Sequence, residues 1–126
     1  MRIRSTLPGF PAVRLRRMLA DLPRSGYRLE VKPLRYRTGP HLQGFCDYDA
    51  KTVTVQVPEP FRPFRQRIAY RAQRIRAHAA GGAPFRFRWF YRHVLFRTQT
   101  DVIRFLYCHE YYHWYLREVL GRKGAA

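Results

Sequence analysis

The sequence predicts a small α+β domain in which a compact antiparallel or mixed sheet packs on one long helix. Thr52-Val-Thr-Val-Gln-Val57 alternates strictly and places Val53, Val55 and Val57 on one face of a strand. Val102 to Leu120 runs without proline or glycine, long enough for five helical turns. Two cysteines in 126 residues exclude a disulfide scaffold, and no apolar run approaches the ~20 residues of a membrane span. A chain of this length buries roughly two-thirds of its unfolded surface, enough for a single domain over residues 1–126.

Residues 1–26 form an N-terminal arm. Within it Pro11 to Pro23 reads as a short helix, with one proline in the first turn and the other as a stop. The arm is Arg-rich and acid-poor, but it lacks the apolar stretch of a signal peptide, and a docking helix is the expectation. Tyr27–Tyr36 reads as extended, with Pro33 favouring an edge position, and Gly39-Pro40 breaks it. Leu42–Tyr48, the polar turn Asp49-Ala50-Lys51 and Thr52–Val57 make a β-hairpin that Pro58 and Pro60 end.

Phe61–His78 places Phe64, Ile68 and Ile75 near helical spacing, so a basic amphipathic helix is expected there. Ala79–Pro84 is a loop. Phe85–Tyr91 alternates like a strand but also fits the opening of a short helix. The last helix, residues 99–121, has Thr98 and Thr100 as cap candidates, Asp101 against the helix dipole and Gly121 as its stop. Val102, Leu106, His109, His113, Leu116 and Leu120 share one face and are expected to be buried together.

The charge is lopsided. Net charge is +17, with 22 Arg and 3 Lys, and Phe61 to Thr100 holds ten Arg and no acid. Within residues 61–82, Arg62, Arg65, Arg67, Arg71, Arg74 and Arg76 are the candidate phosphate contacts of a DNA partner. GC-rich coding yields the same bias, so composition alone leaves both readings open. Phe85, Phe87, Trp89 and Tyr91 fit base stacking or, more simply, packing on the last helix.

His109-Glu110-Tyr111-Tyr112-His113 is an HExxH motif. Residues four apart on a helix lie about 40° apart around the axis, so both imidazoles can reach one tetrahedral Zn2+. Glu110, turned about 100° from His109, can take a proton from a zinc-activated water as general base. The chemistry implied is peptide-bond hydrolysis. Tyr111, Tyr112 and Tyr115 could stabilise an oxyanion, but as aromatics on a packed helix they are expected in the core; Cys46 reads as a small strand hydrophobe and Cys108 as a core or neighbouring-face thiol off the metal face.

Gly44-Phe-Cys46, the alternating strand to Val57 and Asp101-Val-Ile-Arg-Phe-Leu-Tyr-Cys-His-Glu-Tyr-Tyr-His-Trp-Tyr-Leu together resemble the core of SprT-like (Spartan-type) zinc metalloproteases over residues 42–121. The resemblance implies a minimal zincin-like domain acting on DNA-bound proteins, with His109 and His113 as ligands and Glu110 catalytic. It also implies a third ligand on a later element. Val119 stands at the metzincin position, Glu118 faces away on a regular helix, and Arg122–Ala126 offers no ligand. A ligand beyond residue 126 is therefore expected, with His41, His93 and Asp101 as upstream alternatives. In such zincins an edge strand receives extended substrate, and Thr52–Val57 is the candidate.

Two further readings stand beside this one. The chain fits another minimal cytosolic HExxH peptidase of the repressor-cleaving type, or a non-enzymatic basic nucleic-acid-binding module. The expected partners are a protein or peptide substrate and DNA, without a membrane, in the cytoplasm or on the nucleoid.

Overall fold

The computed structural model describes residues 1–35, 41–76 and 85–121. The Gly39-Pro40 break, His78, the Ala79–Pro84 loop and the tail after Gly121 lie outside the described residues. The class is α+β. Backbone contacts divide the chain into two compact units, Met1–Arg62 with Arg97–Ala126, and Pro63–Phe96.

The first unit holds a four-stranded mixed sheet built from β1 (Ile3–Ser5), β2 (Arg28–Leu34), β3 (Gln43–Asp47) and β4 (Thr52–Pro58), in the order β1-β2-β4-β3. β1 and β4 both run parallel to β2, and β3 pairs antiparallel with β4. The predicted hairpin is present as β3–β4. Asp47 fixes its turn, the carboxylate Oδ1 accepting from the backbone N–H groups of Asp49 and Ala50. Lys51 closes the turn in the left-handed region at φ 52°.

The edge position expected for Tyr27–Tyr36 is corrected: β2 is internal. The N–H of Leu29 points to Arg2 and that of Arg28 to Lys51, so odd-numbered residues of β2 face β1. Pro33 lacks its donor on that same side, two residues beyond the last β1 partner, Val31. The proline is tolerated because β1 is short, not because β2 is an edge. Thr52–Val57 is likewise internal rather than an edge, since β2 covers its other side; β3 takes the outer place.

Leu29, Val31, Val53, Val55 and Val57 form a fully buried apolar row across β2 and β4. Helix α1 (Ala12–Met18) contributes Leu15, and Leu19 follows at its end. Helix α2 (Gln99–Trp114) packs on β4 and β3, burying Val102, Ile103, Leu106 and Tyr107. Thr98 caps it as expected, its hydroxyl accepting from the N–H of Asp101. The last turns differ from the expectation: Tyr115–Val119 is a π-helical turn before Gly121 ends the helix at φ 67°.

The second unit is a hairpin of β5 (Phe64–Arg76) and β6 (Phe85–Phe96). It replaces the helix expected over Phe61–His78. The alternation Phe64, Gln66, Ile68 against Arg65, Arg67 is strand-like, but a bulge between Ala69 and Arg71 then shifts its phase. The shift gave the apolar positions a spurious helical spacing.

Candidate metal centre

Helix α2 brings the three motif residues to one groove. The groove, about 320 Å³, is lined by Gly44, Phe45, Cys46 and Tyr48 on one side and His109, Glu110 and His113 on the other. The Nε2 atoms of His109 and His113 stand 3.1 Å apart. Two nitrogens each roughly 2.0–2.1 Å from one tetrahedral zinc are about 3.4 Å apart, so the pair fits two neighbouring positions of one ion. The ring of Phe105, one turn earlier on α2, lies nearly parallel to that of His109, with centroids 6.3 Å apart and 12° between the planes.

The buried stripe differs from the one expected. His109 is exposed and His113 half-buried, while Glu110 is 4% exposed and faces the sheet. The core face of α2 runs through Val102, Ile103, Leu106, Tyr107 and Glu110: Val102, Leu106 and, in the turn that follows, Leu116 are buried as expected, but at the motif the face turns from the two histidines to Glu110. Leu120, placed on the expected stripe, is exposed. Gly44 leaves room for Glu110 on this face. A β-carbon there would lie 2.9 Å from the carbonyl oxygen of Thr54, 3.4 Å from Oε1 and 3.5 Å from Cγ of Glu110. The missing side chain is the space into which the Glu110 carboxyl fits.

Burial sets the electrostatics. It pushes the Glu110 carboxyl up to about 7, where a carboxylate exchanges protons at neutral pH. Desolvation of the ring where it faces the groove, then the neighbouring His113, lower the pKa of His109, favouring the neutral, ligating imidazole. Cys46, expected as a simple strand hydrophobe, lines the groove; burial, then the charge of Glu110, raises its thiol to about 11. A protonated thiol is a poor metal ligand.

The candidates for a third ligand lie on other elements or make other contacts. Asp101 lies in the first turn of α2, about 12 Å along the axis from His109, and accepts from the N–H of Arg97. His41 lines a different cavity with Leu34, Arg35, Pro58, Glu59, Pro60 and Arg62. His93 is on β6 of the second unit. Glu118 accepts a hydrogen bond from the Tyr27 hydroxyl. Among the described residues no group of three or more His, Cys, Asp and Glu side chains is arranged to share an ion. The motif supplies two donors and a carboxylate.

The remaining candidates separate. Arg62 belongs with the first unit, whereas Arg65, Arg67, Arg71, Arg74 and Arg76 are exposed along β5. Tyr112 and Tyr115, expected in the core, are exposed. Phe87, Trp89 and Tyr91, whose simpler reading was packing on the last helix, are also exposed. Sequence reasoning missed Tyr48, whose ring lies under the Arg117 guanidinium at 4.3 Å and whose hydroxyl pKa is raised by burial. No protein-family model, curated protein or solved structure matches the chain.

Proposed function

We propose that the chain is a zinc-dependent peptidase of the HExxH type, similar in site to SprT-like proteases and acting on DNA-associated proteins. The observation that carries this reading is the pairing of the His109 and His113 Nε2 atoms at 3.1 Å beside a carboxyl that is buried against Gly44. A pair of packing histidines gives no reason for a glutamate turned to the sheet, where burial disfavours its charged form.

In this reading His109 and His113 hold the ion and Glu110 acts as general base. Zinc, when bound, supplies Lewis acidity toward a water and the scissile carbonyl. The Glu110 carboxylate takes the proton of the attacking water, and the acid so formed returns it to the leaving amine. Gly44 and Cys46 line the groove across from the Glu110 carboxyl, and burial of Glu110 shields it from bulk water on the sheet side. The strand that would receive substrate is β3 rather than Thr52–Val57. β3 is the outermost strand, its exposed Phe45 lines the groove, and an extended peptide can add to its open backbone.

Metal analysis of the purified chain tests the reading. One zinc per chain is expected, lost in His109→Ala and in His113→Ala; a chain without stoichiometric zinc contradicts both peptidase readings and leaves the basic nucleic-acid-binding module. That second reading is favoured by one observation, the acid-free, Arg-rich hairpin of β5 and β6.

A further inference from the structure

The β5–β6 hairpin carries a surface that hydrolysis does not use. Its register fixes which side chains share a face. Phe87 stands opposite Arg74, Trp89 opposite Ala72, Tyr91 opposite Ala69, His93 opposite Arg67 and Leu95 opposite Arg65. Because β6 has no bulge, Phe87, Trp89 and Tyr91 point the same way along one strand. They are 60%, 54% and 45% exposed; the small Ala69 and Ala72 stand across from Tyr91 and Trp89, and Tyr91 carries the Arg67 guanidinium on one face of its ring. A hairpin with three open aromatics in a row loses apolar burial that a merely structural element would keep.

We propose that this face binds single-stranded DNA, the three rings stacking on successive bases while Arg65 and Arg67 meet the phosphates. The charge complementarity is one-sided: β5 and β6 hold eight Arg and no Asp or Glu. The rings of Phe87 and Trp89 are 6.5 Å apart, about twice the ~3.4 Å spacing of bases along a duplex strand. They can meet only bases drawn apart from their neighbours, which a single strand supplies and a duplex does not. Arg67 lies 3.6 Å over the Tyr91 ring, adding a planar cation to the stacking row. Neither contact reads the 2′ position, so deoxyribose suffices.

The arrangement disfavours an anionic lipid surface. A membrane-bound ribbon segregates its apolar and basic residues, whereas here both faces are basic. On the opposite face Arg71 and Arg88 flank Phe90 at 5.5 and 5.2 Å, and Arg92 lies 4.8 Å over Tyr70. No face is left to enter the acyl region.

The test is oligonucleotide binding by the full chain, a readout that stands whether or not the chain hydrolyses peptides. Trp89 and Trp114 are the only tryptophans, so a Trp114→Phe background makes Trp89 the sole indole reporter. Adding labelled dT20 should quench that emission and raise the label's anisotropy. Trp89→Ala and Tyr91→Ala, both at exposed positions, should each weaken binding roughly 5- to 100-fold, with Trp89→Phe restoring most of it. Replacing Arg65 and Arg67 together by Gln should reduce the slope of log K against log salt by about 1.4. Unchanged affinity in Trp89→Ala with an unchanged circular dichroism spectrum overturns the proposal. So does a 20-base-pair duplex that binds as tightly as dT20, or phosphatidylserine vesicles that quench Trp89 when dT20 does not.

Discussion

Gly44 on β3 and Glu110 on α2 occupy one space: a β-carbon on the glycine would sit 3.4 Å from the carboxyl oxygen of the glutamate and 2.9 Å from a backbone oxygen of the neighbouring strand. The backbone contact cannot yield as a flexible side chain would. Gly44→Ala should therefore move β3 outward or displace Glu110, at a cost of about 1–3 kcal/mol in stability. Hydrolysis should fall further than stability, because the displaced group is the base. Thermal melts beside a peptide-cleavage assay check this; a Gly44→Ala chain as active and as stable as wild type contradicts the assigned contact.

The π-helical turn is held from outside. Tyr27, buried at the start of β2, donates its hydroxyl to Glu118 and meets Trp114 edge-on at 6.3 Å. Tyr27→Phe keeps the ring contact and removes the charge-assisted hydrogen bond, so a loss of about 1–2 kcal/mol is expected. Chemical denaturation measures it. A variant within experimental error of wild type shows that Glu118 is held by something else.

Arg104 ties α2 to the end of α1, donating to the carbonyl of Met18 at 2.7 Å and to both oxygens of Asp21. The hydrogen bond from Arg104 holds the Asp21 carboxyl down at about 2, below its ordinary 3.8. A depressed folded pKa means the stabilisation is complete above pH ~4 and is lost as pH falls toward 2. Asp21→Asn should thus lower the melting temperature by a constant amount from pH 5 to 8, and the two proteins should converge near pH 2. A difference that persists unchanged at pH 2 rules out this ion pair as its source.

Much of the first unit was legible because its signals are local. The β3–β4 hairpin announces itself in the Val53-Val55-Val57 alternation and the Asp47 turn, and α2 in its Thr98 cap and Gly121 stop. What failed was non-local. Nothing near Thr52–Val57 says that β2 will pair alongside it, and nothing near Pro33 says that β1 ends two residues earlier. The β5 strand was hidden by one inserted residue, Tyr70, which moves Arg71 to the face opposite Arg67. The burial of Glu110 was invisible for a different reason: a polar residue was counted out of the core, and the space made for it belongs to a glycine more than sixty positions away.

Glu110→Gln tests the central claim most directly, with zinc content and peptide hydrolysis measured on the same preparation. The substitution keeps the side chain's size beside Gly44 and leaves His109 and His113 in place, but removes the proton acceptor. The predicted result is one zinc per chain, as in wild type, with cleavage of an unstructured protein substrate reduced by at least about 100-fold. Cleavage at the wild-type rate by a zinc-loaded Glu110→Gln chain would contradict the assignment of Glu110 as the base.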